Sequence, residues 1–217
     1  MVKDIVKDIL ENNAMFTKED TSVYDTLQDK QAPNVTLLMC ADSRVPTCVV
    51  SQDTINRVFT IENIGNQIKT AEGSVDYGVM HLKTPLLLVL GHTQCGAVKA
   101  CFNDLSKETK GIKRELEFLS DGLAEMDYSF PQEDPKRLDK FAELNVDYQV
   151  NYALEKYKEQ IENGDLVVVG MMMDFTNSYS EEKCKVHITN VNGQTSPEMI
   201  SEKLGDNFED KFRRLVK

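Results

Sequence analysis

Apolar residues along this chain follow two periodicities. Four runs are nearly continuous: Val35 to Cys40, interrupted only by Thr36; Val58 to Ile61; Leu86 to Leu90; and Leu166 to Val169. Runs this short predict strands buried on both faces, the pattern of a parallel sheet. Lys185-Val186-His187-Ile188 alternates instead, and predicts a fifth strand at an edge, reached through a polar turn at Thr176 to Glu182. Between the runs the spacing becomes helical. Val2, Ile5, Val6, Ile9 and Leu10 form a narrow stripe over residues 1 to 13, and a shorter helical pattern covers Val23 to Leu27 before Pro33. Helices are expected over Ala71 to Leu82, over Ala97 to Phe102, and over Lys136 to Ile161 as one or two pieces capped at Asn163-Gly164. Pro46 suits the first turn of another. Leu204, Phe208, Phe212 and Leu215 predict an amphipathic helix over 196–217, while the charged stretch from Lys107 with Pro131 and Pro135 predicts a connection.

This alternation gives an α/β fold: a mainly parallel central sheet of about four strands plus an edge strand, flanked by helices. The expected organisation is one domain over 1–217, with an N-terminal helical arm (1–34), an α/β core (35–195) and a C-terminal helix (196–217). No repeat or linker divides it.

Length and charge narrow the picture. The 217 residues suffice for a substantial core without disulfides, and a formal charge of −11 argues against nucleic acid or an anionic membrane as partner. No run approaches the ~20 apolar residues of a membrane span, and no secretory leader opens the chain, so a cytoplasmic location is expected. Five cysteines fit reduced thiols; Cys48, Cys101 and Cys184 read as core or surface thiols.

The remaining two cysteines carry the chemistry. Cys40-Ala41-Asp42-Ser43-Arg44 follows the first strand, and Gly91-His92-Thr93-Gln94-Cys95-Gly96 follows the third. An H-x-x-C turn presents an imidazole and a thiolate to one ion, and Cys40 adds a second thiolate from a neighbouring strand end, where sites form in parallel sheets. Three protein ligands leave a tetrahedral position open, which marks a catalytic zinc. Read singly, each piece is as well explained by a core cysteine or a loop salt bridge; together they favour a metal.

C-x-D-x-R paired with H-x-x-C about fifty residues later, together with Gln31-Ala32-Pro33, Phe59 to Asn66, Ser74 to Leu82, Gly91 to Val98 and Asn145 to Gly170, resembles the β-class carbonic anhydrases over roughly residues 30 to 195. The resemblance implies one Zn2+ per subunit on Cys40, His92 and Cys95, and reversible hydration of carbon dioxide to bicarbonate and a proton by zinc-bound hydroxide, with Asp42 and Arg44 as catalytic residues. It implies that Asp42 either pairs with Arg44 or swings onto the zinc. Gln31, Phe59 and Tyr77 match pocket-lining positions of the plant-like branch, whose pocket lies at a dimer interface, and Gly96 is expected in the substrate site with them; the N-terminal stripe packs either on its own domain or, as the resemblance implies, across a partner subunit. A homodimer or homotetramer follows.

Two thiolates cancel the charge of the ion, so activity is expected to rise into mildly alkaline pH. Gly65 and Gly96 read as backbone devices, and His81 and His187 as packing or surface histidines before proton shuttles. Glu62 stands where many relatives carry arginine, and the chain has no tryptophan, so the Trp-containing bicarbonate pocket of some relatives is not expected. Two other functions fit the same motifs: hydrolysis of carbon disulfide or carbonyl sulfide on this scaffold, and a non-catalytic zinc-binding interaction module.

Overall fold

A computed structural model describes residues 1–19, 21–204 and 211–216. The chain divides into two compact units, Met1–Ala32 and Pro33–Lys217. The first contains α1 (Val2–Phe16) and a 3-10 turn, Ser22–Thr26. Its apolar stripe is real and uncovered within the unit: Val2, Ile5, Val6, Ile9 and Leu10 are all exposed.

The second unit is built on a five-stranded sheet of order β2-β1-β3-β4-β5. The strands are β1 (Val35–Cys40), β2 (Val58–Asn63), β3 (Leu86–His92), β4 (Val167–Asp174) and β5 (Lys185–Val191). The first four are parallel and β5 runs antiparallel at the edge, as expected. Both faces are covered, which is why the strands read as continuous apolar runs. Leu38, Leu87 and Val89 join the core under the long helix, whereas Leu37, Met39, Leu88 and Leu90 join a second core on the opposite face. The one polar residue in β1, Thr36, is fully buried and shares a 2.7 Å hydrogen bond with the Thr84 hydroxyl.

Helices follow the sheet in chain order: α2 (Glu72–Asp76), α3 (Gly96–Ala100), α4 (Lys110–Glu125), α5 (Arg137–Lys156), α6 (Lys158–Glu162) and α7 (Pro197–Leu204). The helix expected over Ala71 to Leu82 changes hand-hold midway: α2 widens into a π turn over Tyr77–His81, where Gly78 lies so close to Thr36 that a Cβ would overlap its hydroxyl. The segment from Lys107 contains a four-turn helix, α4. Thr109 caps it, and Leu116, Leu119 and Leu123 form a buried stripe that the surrounding charges concealed. Helix α5 lies tight on the sheet, because a Cβ on Gly91 or Gly170 would approach the Val146 methyls to 2.5 and 2.7 Å.

The C-terminal helix is shorter than expected. It spans Pro197–Leu204; Phe208 lies outside the described residues, and residues 212–216 are not helical. Phe212 is buried in a parallel bridge with Ile188. The physical reason is on α5: the Leu215 and Val216 amides both donate to the Glu143 carboxylate at 2.9 Å, and Arg214 grips Asp147 at 2.7 Å. These buried acids satisfy backbone groups that a helix would have turned inward.

Candidate metal centre

Because β1 and β3 are adjacent and parallel, with Met39 opposite Leu90, their carboxyl ends stop side by side. Cys40 ends β1, His92 ends β3, and Cys95 lies one turn beyond. Their ligand atoms all fall within 4.8 Å of one another, and the three residues are 5%, 1% and 2% exposed. The His92 Nδ1 donates to the Thr93 carbonyl at 2.9 Å, which leaves Nε2 as the lone-pair nitrogen. That Nε2 is buried without a hydrogen-bond partner.

The two thiols are asymmetric. A hydrogen bond from Cys95, with His92 adding to it against the cost of burial, holds the Cys40 thiol below its ordinary range. The same hydrogen bond, together with burial, holds the Cys95 thiol well above its ordinary range. A pair that resists a second deprotonation, beside an orphaned imidazole nitrogen, is the arrangement a divalent cation completes. Two sulfurs and one nitrogen suit zinc, so the residues present fit that ion.

Asp42 faces the cluster, with Oδ2 3.8 Å from His92 Nε2. Arg44 holds it with three bonds: Nε to Oδ1 at 2.8 Å, Nη2 to Oδ2 at 2.7 Å, and its own backbone N–H to Oδ1 at 3.0 Å. These bonds keep the Asp42 carboxyl well below the usual carboxylate range. Nη2 also donates to the Gln94 carbonyl at 3.3 Å, and the guanidinium sits 4.8 Å over the Phe175 ring.

A supporting layer escaped sequence reasoning. Gln94, between the two ligands of the turn, has a left-handed φ of 55°. Its N–H and its side-chain amide both donate to Oδ1 of Asp139, at 2.8 and 3.1 Å. Asp139 is 1% exposed and its Oδ2 accepts from Ser178 (2.6 Å) and Thr176 (3.2 Å). Thr93 donates its N–H to the Met173 carbonyl and accepts from Phe175 N–H. Asp174 accepts from the backbone of Thr176, Ser178 and Tyr179. The available signal was an acid in phase with Ala142, Val146 and Val150 on the apolar face of α5. On the other side of Cys40, the loop after β2 turns at Gly65 (φ 78°), whose carbonyl accepts from Asn145 of α5 at 2.9 Å.

Of the expected pocket residues, Gly96 directly follows Cys95, whereas Phe59 and Tyr77 pair at the other end of the strands. Phe59 and Tyr77 meet, with ring centroids 5.7 Å apart, but Phe59 pairs with Thr36, four residues before Cys40 and so about 13 Å along the strand. Tyr77 is 43% exposed. Gln31 belongs to the first unit and is exposed. Gly96 opens α3 with space around it, so a turn requirement does not explain it; Gln94 takes the left-handed conformation instead.

His81 is exposed and stacks on Tyr77, while His187 is buried against Tyr179, its protonation disfavoured chiefly by burial. Cys48 and Cys184 are exposed, and burial pushes the Cys101 thiol up to about 11. A cavity of about 510 Å³ opens on the far face of the sheet among Val35, Val50, Leu88, Met171 and Ile188, and touches none of the cluster.

The family model described as carbonic anhydrase matches residues 35–179. A carbonic anhydrase of Mycolicibacterium smegmatis is 37% identical over 83 residues, 38% of this chain and 40% of that protein. Carbonic anhydrase 2 of Mycobacterium tuberculosis is 29% identical over 147 residues, 65% of this chain and 70% of that protein. Among solved structures, a tetrameric β-carbonic anhydrase from Sordaria macrospora superposes with a TM-score of 0.67 at 23% identity, over 79% of this chain and 92% of that one, a likeness of fold.

Proposed function

The chain belongs to the β-carbonic anhydrase family, and on that premise we propose that it catalyses the reversible hydration of carbon dioxide, with zinc held by Cys40, His92 and Cys95. The observation that carries the proposal is the convergence of these three buried donors beside a carboxylate clamped by Arg44.

When bound, zinc supplies the Lewis acidity that brings the pKa of a water molecule towards neutrality. The residues of the chain do the rest. Thr93 fixes the His92 tautomer through its carbonyl. Asp42, kept ionised by Arg44, accepts a hydrogen bond from the nucleophilic water and orients it towards the substrate carbon. Arg44 keeps that carboxylate from moving the remaining distance to the cluster, where it would compete for the substrate's position. Carbon dioxide carries no charge, so its pocket relies on shape. We assign Gln31, Phe59, Tyr77 and Gly96 to it and place it between two copies of the chain, since Phe59 and Tyr77 pair at the far end of the strands from the chain's own cluster. The active species is then a homodimer or a tetramer in the cytoplasm.

Stopped-flow hydration of carbon dioxide tests this, on protein of verified zinc content between about pH 7 and about pH 9, with carbon disulfide and carbonyl sulfide run alongside. The expected result is hydration that rises with pH. Zinc-loaded protein that hydrates nothing across the range but releases sulfide would reassign the substrate.

A further inference from the structure

We infer that Asp139 is a positioning residue for the ligand turn: its carboxylate sets the Gln94 peptide, and through that peptide fixes both Cys95 and Arg44. This rests on the reading that Cys40, His92 and Cys95 hold zinc.

His92 is placed by its strand, but Cys95 is reached only through Thr93 and Gln94. Left-handed backbone is disfavoured for a residue with a side chain, so Gln94 needs something outside the turn to hold it at φ 55°. Oδ1 of Asp139 takes both its backbone N–H and its amide, and among the described residues that N–H has no other acceptor. On the opposite side of the same residue, the Gln94 carbonyl receives Arg44 Nη2, the group that also holds Asp42. One buried carboxylate therefore lies at the start of a chain of contacts that runs through Gln94 and Arg44 to Asp42.

The nature of the acid supports this role over packing. Asp139 occupies an apolar face, where a leucine would be the ordinary choice, and a carboxyl group buried there is costly unless it is hydrogen-bonded. Among the described residues it forms no ion pair; the adjacent Lys140 turns to Asp134 instead. Four neutral donors satisfy it, two from the ligand turn and two from the loop after β4. Its height above the sheet is fixed in turn, because Val146 of the same helix bears on Gly91 and Gly170. Such a residue acts on the geometry of the donors and need not touch the reactants.

The test is zinc affinity by chelator competition and the electronic spectrum of the Co2+-substituted protein, for wild type, D139A and D139N. Removing an outer partner of a metal ligand typically costs about 10–100-fold in affinity. D139A is expected to lose that much and to show shifted cobalt bands. D139N should stay close to wild type, since its oxygen can face Gln94 while its amide donates to the Ser178 and Thr176 hydroxyls. D139A with wild-type affinity and spectrum overturns the inference, as does D139N no better than D139A. Should D139A not fold, S178A removes the 2.6 Å bond on Oδ2 from a half-buried site. Unchanged zinc affinity and cobalt bands in S178A then overturn it, and a several-fold weakening supports it. Wild-type protein that takes up neither ion defeats the metal reading itself, a different failure from a wild type and a D139A that bind equally.

Discussion

Replacing Arg44 with methionine keeps an apolar stem over the Phe175 ring and removes the guanidinium that restrains Asp42. The lost contacts are two charge-assisted side-chain bonds of 2.8 and 2.7 Å, plus the weaker bond to the Gln94 carbonyl at 3.3 Å. A bond of that kind contributes about 1.5–3 kcal/mol when buried. The Arg44 side chain is 54% exposed and the Asp42 side chain 18%, so water screens the pair and the sum falls to about 1–3 kcal/mol. At about 1.4 kcal/mol per factor of ten, the balance between a held and a released Asp42 shifts by about 5–150-fold. The released Oδ2 begins 3.8 Å from His92 Nε2, so it competes for the position the three donors surround. The expected outcome for R44M is a fall in kcat/KM for hydration of that size near neutral pH, at full zinc content. Wild-type rates in fully loaded R44M would refute the restraint.

Two further substitutions probe the scaffold. In G78A a new methyl meets Thr36, which cannot retreat because it is fully buried and bonded to Thr84; the overpacking should cost about 1–3 kcal/mol, or about 2–12 °C in Tm. G73A, where nothing lies within 4 Å, is the control, and equal melting of the two would contradict the packing described. R214M leaves Glu143 and Asp147 buried without their cation, an expected loss of about 3–5 kcal/mol by urea titration. Burial already raises the Glu143 carboxyl, and losing Arg214 raises it further. A folded value above the unfolded ~4.3 means that folding takes up a proton, so stability falls as pH rises through the folded value. The R214M deficit should therefore be larger at about pH 8 than at about pH 5; a deficit independent of pH would remove Glu143 from the explanation.

What the sequence revealed follows from which interactions are local. Strands covered on both faces must be apolar throughout, so β1, β3 and β4 announce themselves, and ligands at the ends of adjacent parallel strands converge whatever the loops do. Asp42 and Arg44 are two residues apart and find each other without help. Asp139 meets Gln94 across 45 positions, and no periodicity specifies such a pairing. Helix α4 hides because lysines and glutamates surround a three-leucine stripe. The spacing of Phe212 and Leu215 is helical, yet the amides after Arg214 are claimed by Glu143 from another element. Phe59 and Tyr77 are each legible as apolar positions; only the register of β2 on β1 reveals that they sit at the opposite end of the sheet from Cys40.

The place of β3 between β1 and β4 also imposes an order in time. Cys40, His92 and Cys95 leave the ribosome together with β1 and β3, but Met173 and Phe175, which fasten Thr93, and Asp139, which fastens Gln94, come later. At ordinary synthesis rates the interval from Cys95 to Phe175 is about 4–16 s. Throughout it the nascent chain carries both thiols without Met172 of β4, which packs in the same core as Cys40 and Cys95. Chains stalled before β4 should therefore leave Cys40 and Cys95 open to alkylation even with zinc present, and chains carried past Phe175 should protect them. The thiols thus reach their folded setting only after Phe175 has been made, and reducing conditions matter most to them while the stretch from Cys95 to Phe175 is being synthesised.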